Sequence, residues 1–215
     1  MSQTLSKALH PSSNGPPTTL VDLLRHGEPV GGQKYRGGTD DPLSDEGWRQ
    51  MRAAVEGAQP WRRILSSPLH RCRDFGEELA SQLDIPIGVD PRIREIGFGQ
   101  WEGKTAAEVT AEDADALRRF YRDPLAYQPA GAEPPRTFLK RVGKALEEAI
   151  AQYPGEHLLI VGHSGVIRAA IAHLLEIPLH KLFQINTEYA HFTRLRFGGQ
   201  RPPSVIFHNR QRIPE

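Results

Sequence analysis

What most constrains this chain is an alternation of short apolar runs with stretches of helical period. Apolar runs at Leu20–Leu24, Arg63–Leu65, Ile87–Val89, His157–Val161, Phe192–Phe197 and Val205–Phe207 have the length and composition of strands. Between most of them, apolar residues recur at helical spacing. Ser44 is placed to cap a helix carrying Trp48, Met51, Val55 and Ala58 on one stripe. Ser67-Pro68 reads as an N-cap with proline at the first helical position, opening a helix that turns Leu69, Cys72, Leu79 and Leu83 inward. A third helix over about Thr137–Tyr153 buries Phe138, Val142, Leu146, Ala149 and Ile150. A fourth opens at Ser164 and buries Val166, Ile167, Ala170, Ile171 and Leu174. Parallel neighbours need crossover connections, and crossover helices cover both faces of a sheet. The last two runs lie close together around Gly198-Gly199 and read as an antiparallel hairpin at one edge. The expected fold is α/β: a three-layer α/β/α sandwich with a mostly parallel central sheet and an antiparallel edge.

A chain of 215 residues suits one such domain, with a core large enough to need no disulfide or metal staple. Pro11 to Thr19 reads PSSNGPPTT without an apolar residue, so residues 1–17 are expected to form a flexible arm and 18–215 a single domain. Residues 104–136 break the alternation. They hold a helix-like piece at Ala111–Tyr121, then Pro124, Pro129, Pro134 and Pro135, and read equally as a lid or as a plain surface excursion. Lys+Arg 27 against Asp+Glu 26 leaves a net charge of +1, which excludes bulk electrostatic coating of nucleic acid or membrane. Cys72 is the only cysteine, so an intramolecular disulfide is excluded. The longest apolar run, Leu158-Leu159-Ile160-Val161, falls far short of the ~20 residues of a spanning helix. The first ten residues lack the apolar run of a secretory signal, and the expected location is cytoplasmic.

In open parallel sheets, ligands bind beyond the carboxyl ends of the strands. Three strand ends here carry unusual polar residues. LVDLL runs into Arg25-His26-Gly27-Glu28; RIL runs into a segment that puts Arg71 in a helical first turn; HLLIV runs into Gly162-His163-Ser164-Gly165. Singly, each histidine reads as structural and each arginine as a solvated charge. Together, two arginines and two histidines make a poor metal site and a good anion site. Two guanidinium groups match the charge and geometry of a phosphomonoester, and nearby helix N-termini add backbone donors. Surrounding cations keep an imidazole neutral, and a neutral imidazole can attack phosphorus. The residues therefore point to phosphohistidine chemistry.

Arg25-His26-Gly27-Glu28, Ser67-Pro68-Leu69-His70-Arg71, the run from Glu95 to Gly103 (EIGFGQWEG) and Gly162-His163-Ser164-Gly165 resemble the motifs of the histidine phosphatase superfamily, with its phosphoglycerate-mutase-like fold. The likeness spans about Leu20 to Phe207. It implies that His26 is the nucleophile, that Arg25, Arg71 and His163 bind the phosphoryl oxygens, and that Glu95 is the proton donor. It also implies no metal and no cofactor. Without the flanking motif, Glu95 would read as an ion-pair partner of Arg92 or Arg94. Tyr35 to Ser44 (YRGGTDDPLS) resembles the substrate-side loop of alpha-ribazole phosphatases of cobalamin assembly, which implies substrate binding by Arg36, Gly37 and Gly38; Ser164, at a helix start, is expected to bind substrate with them. Pro129-Ala130-Gly131-Ala132-Glu133-Pro134 keeps part of their Pro-Gly-Gly-Glu-Ser lid motif and replaces its second Gly and its Ser. The Glu-Ser and Trp-Asn pairs typical of phosphoglycerate mutases are missing after Gly27, which favours hydrolysis over mutase chemistry. A broad-specificity sugar phosphatase is a further alternative. The expected partner is a small phosphorylated metabolite, with no nucleic acid and no membrane, and with a homodimer as the one protein partner considered.

Three rival readings of the same sequence are a serine hydrolase, a cysteine phosphatase and a non-catalytic module. Gly162-His163-Ser164-Gly165-Val166 nearly fits the nucleophile elbow of a serine hydrolase, but the residues after Ser164 contain no Asp. A cysteine phosphatase needs Arg at position 78, where Glu78 stands. A non-catalytic phosphate-sensing module would have lost the nucleophile or the acid, and this chain keeps both.

Overall fold

The computed structural model describes residues 15–58 and 60–214. Six strands form one sheet: β1 (Thr19–Arg25), β2 (Arg63–Ser66), β3 (Ile87–Val89), β4 (His157–Gly162), β5 (Phe192–Phe197) and β6 (Ser204–Arg210). Their order is β3-β2-β4-β1-β5-β6. Strands β3, β2, β4 and β1 are mutually parallel, whereas β5 runs antiparallel to both β1 and β6. The mostly parallel sheet with an antiparallel edge is as expected.

Side-chain alternation explains how one sheet supports two cores. Val21, Leu23, Leu158 and Ile160 point to one face, beneath α5 (Pro135–Gln152) and α6 (Ser164–Leu175). Leu24, Leu159 and Val161 point to the other, beneath α1 (Asp45–Val55) and α2 (His70–Leu83). Ser44 caps α1 as anticipated, its hydroxyl accepting from the Gly47 amide at 3.0 Å. The loops leaving the neighbouring strands β1 and β4 lead to helices on opposite faces. That divergence opens a crevice at their carboxyl ends.

Some expectations require correction. Helix α2 starts at His70, not at Pro68. Ser67 directly follows β2 instead: its amide continues the sheet to Val161 O (3.1 Å), and its hydroxyl meets His163 (2.7 Å) and accepts from Leu69 N (3.3 Å) in the turn ahead of the helix. The single helical piece at Ala111–Tyr121 is instead two short helices, α3 (Ala106–Glu112) and α4 (Ala116–Arg122), interrupted at Asp113. Residues 1–14 of the expected N-terminal arm lie outside the described residues, while Pro16 accepts a hydrogen bond from Gly199 N at 2.9 Å. Among the described residues, no helix is long and apolar enough to cross a membrane.

Candidate active site

Strand β1 delivers Arg25 and His26 to the crevice, and the His26 amide still pairs with Gly162 O of β4 at 2.9 Å. Gly27 follows because the chain must pass close to α1: a Cβ there would lie 2.3 Å from Gly47 O. His26 is buried, and its Nδ1 lies 2.7 Å from Gly27 O. A carbonyl can only accept, so Nδ1 carries the proton and Nε2 keeps the lone pair. Burial holds the His26 pKa well below the usual range, reinforced by the charges of Arg71 and Arg25. The imidazole is therefore neutral, as the sequence suggested, with burial rather than charge as the larger cause.

Both arginines are anchored yet keep a free donor. Arg25 donates from Nη1 to Thr187 O at 2.6 Å and lies 3.9 Å over the Tyr189 ring. Arg71 is fully buried and donates to Thr39 O at 2.7 Å. The Nε of each is buried without a partner among the described residues. An unpaired buried donor is costly, so such donors in one site favour an anion there. His163, also fully buried, meets Ser67 Oγ at 2.7 Å, and its ring packs edge to face on His26 with centroids 5.2 Å apart. Burial, then Arg71, lowers its pKa well below the ordinary value. Cys72 lies 3.6 Å from His163 Nε2, and burial raises its thiol pKa, consistent with an inert core residue.

Glu95 enters from the opposite wall. Its Oε2 accepts from Gly165 N at 3.0 Å and its Oε1 from Ile96 N at 2.9 Å. Gly165 permits this contact, since a Cβ there would lie 2.2 Å from Oε1. The alternative ion pair with Arg92 is not formed; Arg92 binds Asp90 and Glu148 instead.

A cavity of about 150 Å³ joins Arg25, His26, Arg36, Glu95 and Ser164. Its far wall is largely apolar, with Phe98, Phe120, Phe183 and Tyr189. The insertion contributes Phe120, Pro124, Gln128, Pro129, Ala132 and Glu133, so it roofs the cavity. Arg71 and His163 are not among its lining residues; His163 packs against His26, and the Arg71 charge acts on both histidines. Arg36 lines the cavity, but its guanidinium nitrogens already bind Asp41, Gly32 O and Val30 O. The amides of Gly37 and Gly38 face Glu102 and do not line the cavity. Ser164 Oγ pairs with Thr187 Oγ1 at 2.6 Å, not with a histidine, which removes the geometric basis for a serine hydrolase.

Sequence reasoning passed over Thr187, Tyr189 and Arg168. Thr187 and Tyr189 precede β5, and an antiparallel strand begins where its parallel neighbours end. The β5 N-terminus was therefore the available signal. Arg168 lies one helical turn after Ser164 and donates from Nε to Ile185 O at 2.8 Å.

A model of the family described as "Histidine phosphatase superfamily (branch 1)" matches residues 21–210. The chain belongs to the histidine phosphatase superfamily. It is 31% identical over 199 residues to a bifunctional protein of Mycobacterium tuberculosis, covering 90% of this chain and 54% of that one. The chain thus spans about half the length of the first curated relatives it matches. It is also 31% identical to the adenosylcobalamin/alpha-ribazole phosphatase of Salmonella typhimurium, over 77% of this chain and 84% of that protein. A mycobacterial glucosyl-3-phosphoglycerate phosphatase, solved with VO3, superposes with a TM-score of 0.80 at 28% identity, covering 89% of this chain and 98% of that one. In this superfamily member Arg25, His26 and Glu95 line one cavity, with His163 packed against His26 and the Arg71 charge acting on both histidines.

Proposed function

We propose that the protein is a metal-independent phosphomonoester hydrolase acting through a phosphohistidine on His26. One observation carries the reading: His26 Nδ1 is tied to Gly27 O, which leaves Nε2 as a neutral nucleophile beside Arg25 and Arg71. Nε2 attacks phosphorus, and the bond to the ester oxygen breaks. Arg25, Arg71 and His163 hold the phosphoryl oxygens as charge moves onto them. Glu95 gives its proton to the leaving alkoxide. A water then attacks the phosphohistidine, Glu95 takes that proton, and phosphate departs with His26 neutral again. Two guanidinium groups repel a divalent cation from the same position, which supports chemistry without a metal.

The finer reading is a cytoplasmic enzyme acting on alpha-ribazole 5'-phosphate in cobalamin biosynthesis. The loop from Tyr35 to Ser44, the Salmonella relative and the aromatic cavity wall support it. Hydrolysis of p-nitrophenyl phosphate in EDTA, comparing wild type with His26→Ala, tests the activity. Turnover that resists EDTA and disappears in the variant is expected. Acid-quenched enzyme should carry acid-labile phosphate on His26; a stable serine-linked label overturns the mechanism. A phosphometabolite panel ranked by kcat/KM tests the substrate, with glucosyl-3-phosphoglycerate and 3-phosphoglycerate as the competing outcomes.

A further inference from the structure

Glu102 lies outside the cavity lining, yet its carboxylate gathers an unusual set of donors. Oε1 accepts from the amides of Phe98 (2.8 Å), Gly37 (3.0 Å) and Gly38 (3.1 Å). Oε2 accepts from the amides of Gly37 (3.0 Å) and Thr39 (3.1 Å), and from the Thr39 hydroxyl (2.7 Å). Burial alone would raise its pKa, but the donors from Phe98, Thr39 and Gly38 outweigh that and hold it below the ordinary carboxylate range. Glu102 is therefore an anion with no cation among its partners in the described residues, balanced by backbone amides and the Thr39 hydroxyl.

The two segments it joins are those that carry the chemistry. With the amides of residues 37–39 turned toward Glu102, the Thr39 carbonyl is turned toward Arg71, which donates to it at 2.7 Å. The carbonyls of Arg36 and Gly37 lie at 3.5 Å from Arg71 Nη2, weaker contacts on the same side. Phe98, the other donor, is three residues from Glu95 on the same loop. The close seating of these segments leaves no slack: a Cβ on Gly37 would lie 2.1 Å from Ile96 O. An ionised carboxylate that fixes the amide side of a peptide loop also fixes, and polarises, its carbonyl side.

We infer that Glu102 is a positioning residue for the phosphate site: it holds the 36–39 loop so that Arg71 keeps its orientation at a set distance from Glu95. The inference rests on the phosphatase reading for its catalytic meaning, but its geometric core concerns anion binding and can be read without turnover.

The test is a double-mutant cycle with Glu102→Gln and Arg71→Ala, read as inhibition by inorganic phosphate and vanadate and as kcat and KM. Glutamine keeps the size and one acceptor but turns an NH₂ group toward backbone N–H donors. Glu102→Gln should weaken phosphate binding by roughly tenfold, with a rise in KM. In the Arg71→Ala background the same substitution should change phosphate binding by less than about twofold. Equal losses in both backgrounds would overturn the inference, because a merely structural role costs the same whether or not Arg71 is present. Thr39→Val, which removes one donor and leaves the amides, should shift phosphate affinity in the same direction by less. If Glu102→Gln fails to fold, Thr39→Val takes its place in the cycle. Wild type that binds phosphate or vanadate without turnover defeats the hydrolase reading alone. Wild type that binds neither defeats both.

Discussion

The His26 and His163 rings meet edge to face at 5.2 Å, and both are buried between Arg25 and Arg71. Burial first, and then the charges of Arg71 and Arg25, disfavour protonation of both rings, and a charge on His26 would further disfavour one on His163. The neutral state on which nucleophilic attack depends thus rests on burial first and on the arginines second.

The pH profile should show it. Histidine ordinarily titrates near 6.5, but here both pKa values lie well below that. The kcat/KM should therefore stay level as pH falls through about 6.5, declining only at lower pH. An acid limb centred at about 6.5 contradicts the assignment. Stability carries the same sign: the unfolded chain binds protons at these histidines near 6.5 while the folded chain does not. Their contribution makes unfolding easier as pH falls below about 6.5.

Gly165→Ala should separate chemistry from folding. The added Cβ meets Glu95 Oε1 at 2.2 Å, the mobile end of a side chain, and Phe138 Cζ at 3.2 Å. Glu95 must move off the Gly165 amide, which displaces the proposed proton donor. A fall in kcat of about 10²-fold or more is expected, the size of a general acid–base contribution, with the folded state retained. A thermal melt beside the kinetics checks this; unchanged kcat counts against Glu95 as the acid.

The strands, the two cores and the four strand-end residues were legible because each depends on local pattern. A short apolar run marks Leu20–Leu24, and polar residues directly after an apolar run mark Arg25, His26 and His163. The start of α2 was misread because Ser67 looks like a cap in isolation. Only the fold shows its amide joined to the sheet at Val161 and its hydroxyl shared between His163 and the Leu69 amide, ahead of the helix start at His70. The role of Glu102 had no local signature, since its donors come from a loop 65 residues earlier and from Phe98. Arg36, Gly37 and Gly38 were recognisable as one loop, but their division between lining the cavity and facing Glu102 depends on how that loop is turned.

That division gives a paired prediction on stability. A Cβ on Gly37 would collide with backbone at Ile96 O (2.1 Å) and Gly97 Cα (2.6 Å), whereas one on Gly38 meets nothing within 4 Å. Gly37→Ala should cost about 1–3 kcal/mol, the usual penalty for overpacking. Gly38→Ala should stay within about 0.5 kcal/mol of wild type. Urea unfolding of the pair checks it, and equal midpoints contradict the proposed seating of the loop.

In the middle of β1, Asp22 is fully buried and accepts from Arg194 Nε (2.7 Å), Arg194 Nη2 (2.9 Å), Trp61 Nε1 (2.9 Å) and His157 Nε2 (2.9 Å). Asp22 and Arg194 are cross-strand partners, so the pair also fixes the register of antiparallel β5 on β1. Burial would raise the Asp22 pKa, but its bonds from His157 and Arg194 outweigh that and lower it. A carboxyl with a lowered folded-state pKa stabilises the fold fully above its ordinary range. That stabilisation fades as pH falls through the lowered value. Asp22→Asn keeps the shape and strands the Arg194 charge, at a cost of about 3–5 kcal/mol near neutral pH. The difference between wild type and variant should shrink as pH falls below the ordinary aspartate value of about 3.9 and through the lowered folded-state value, where wild type also loses the anion. Denaturant unfolding of both proteins across this range reads the effect directly. A difference that stays constant with pH shows that the Asp22 charge does not hold these strands together.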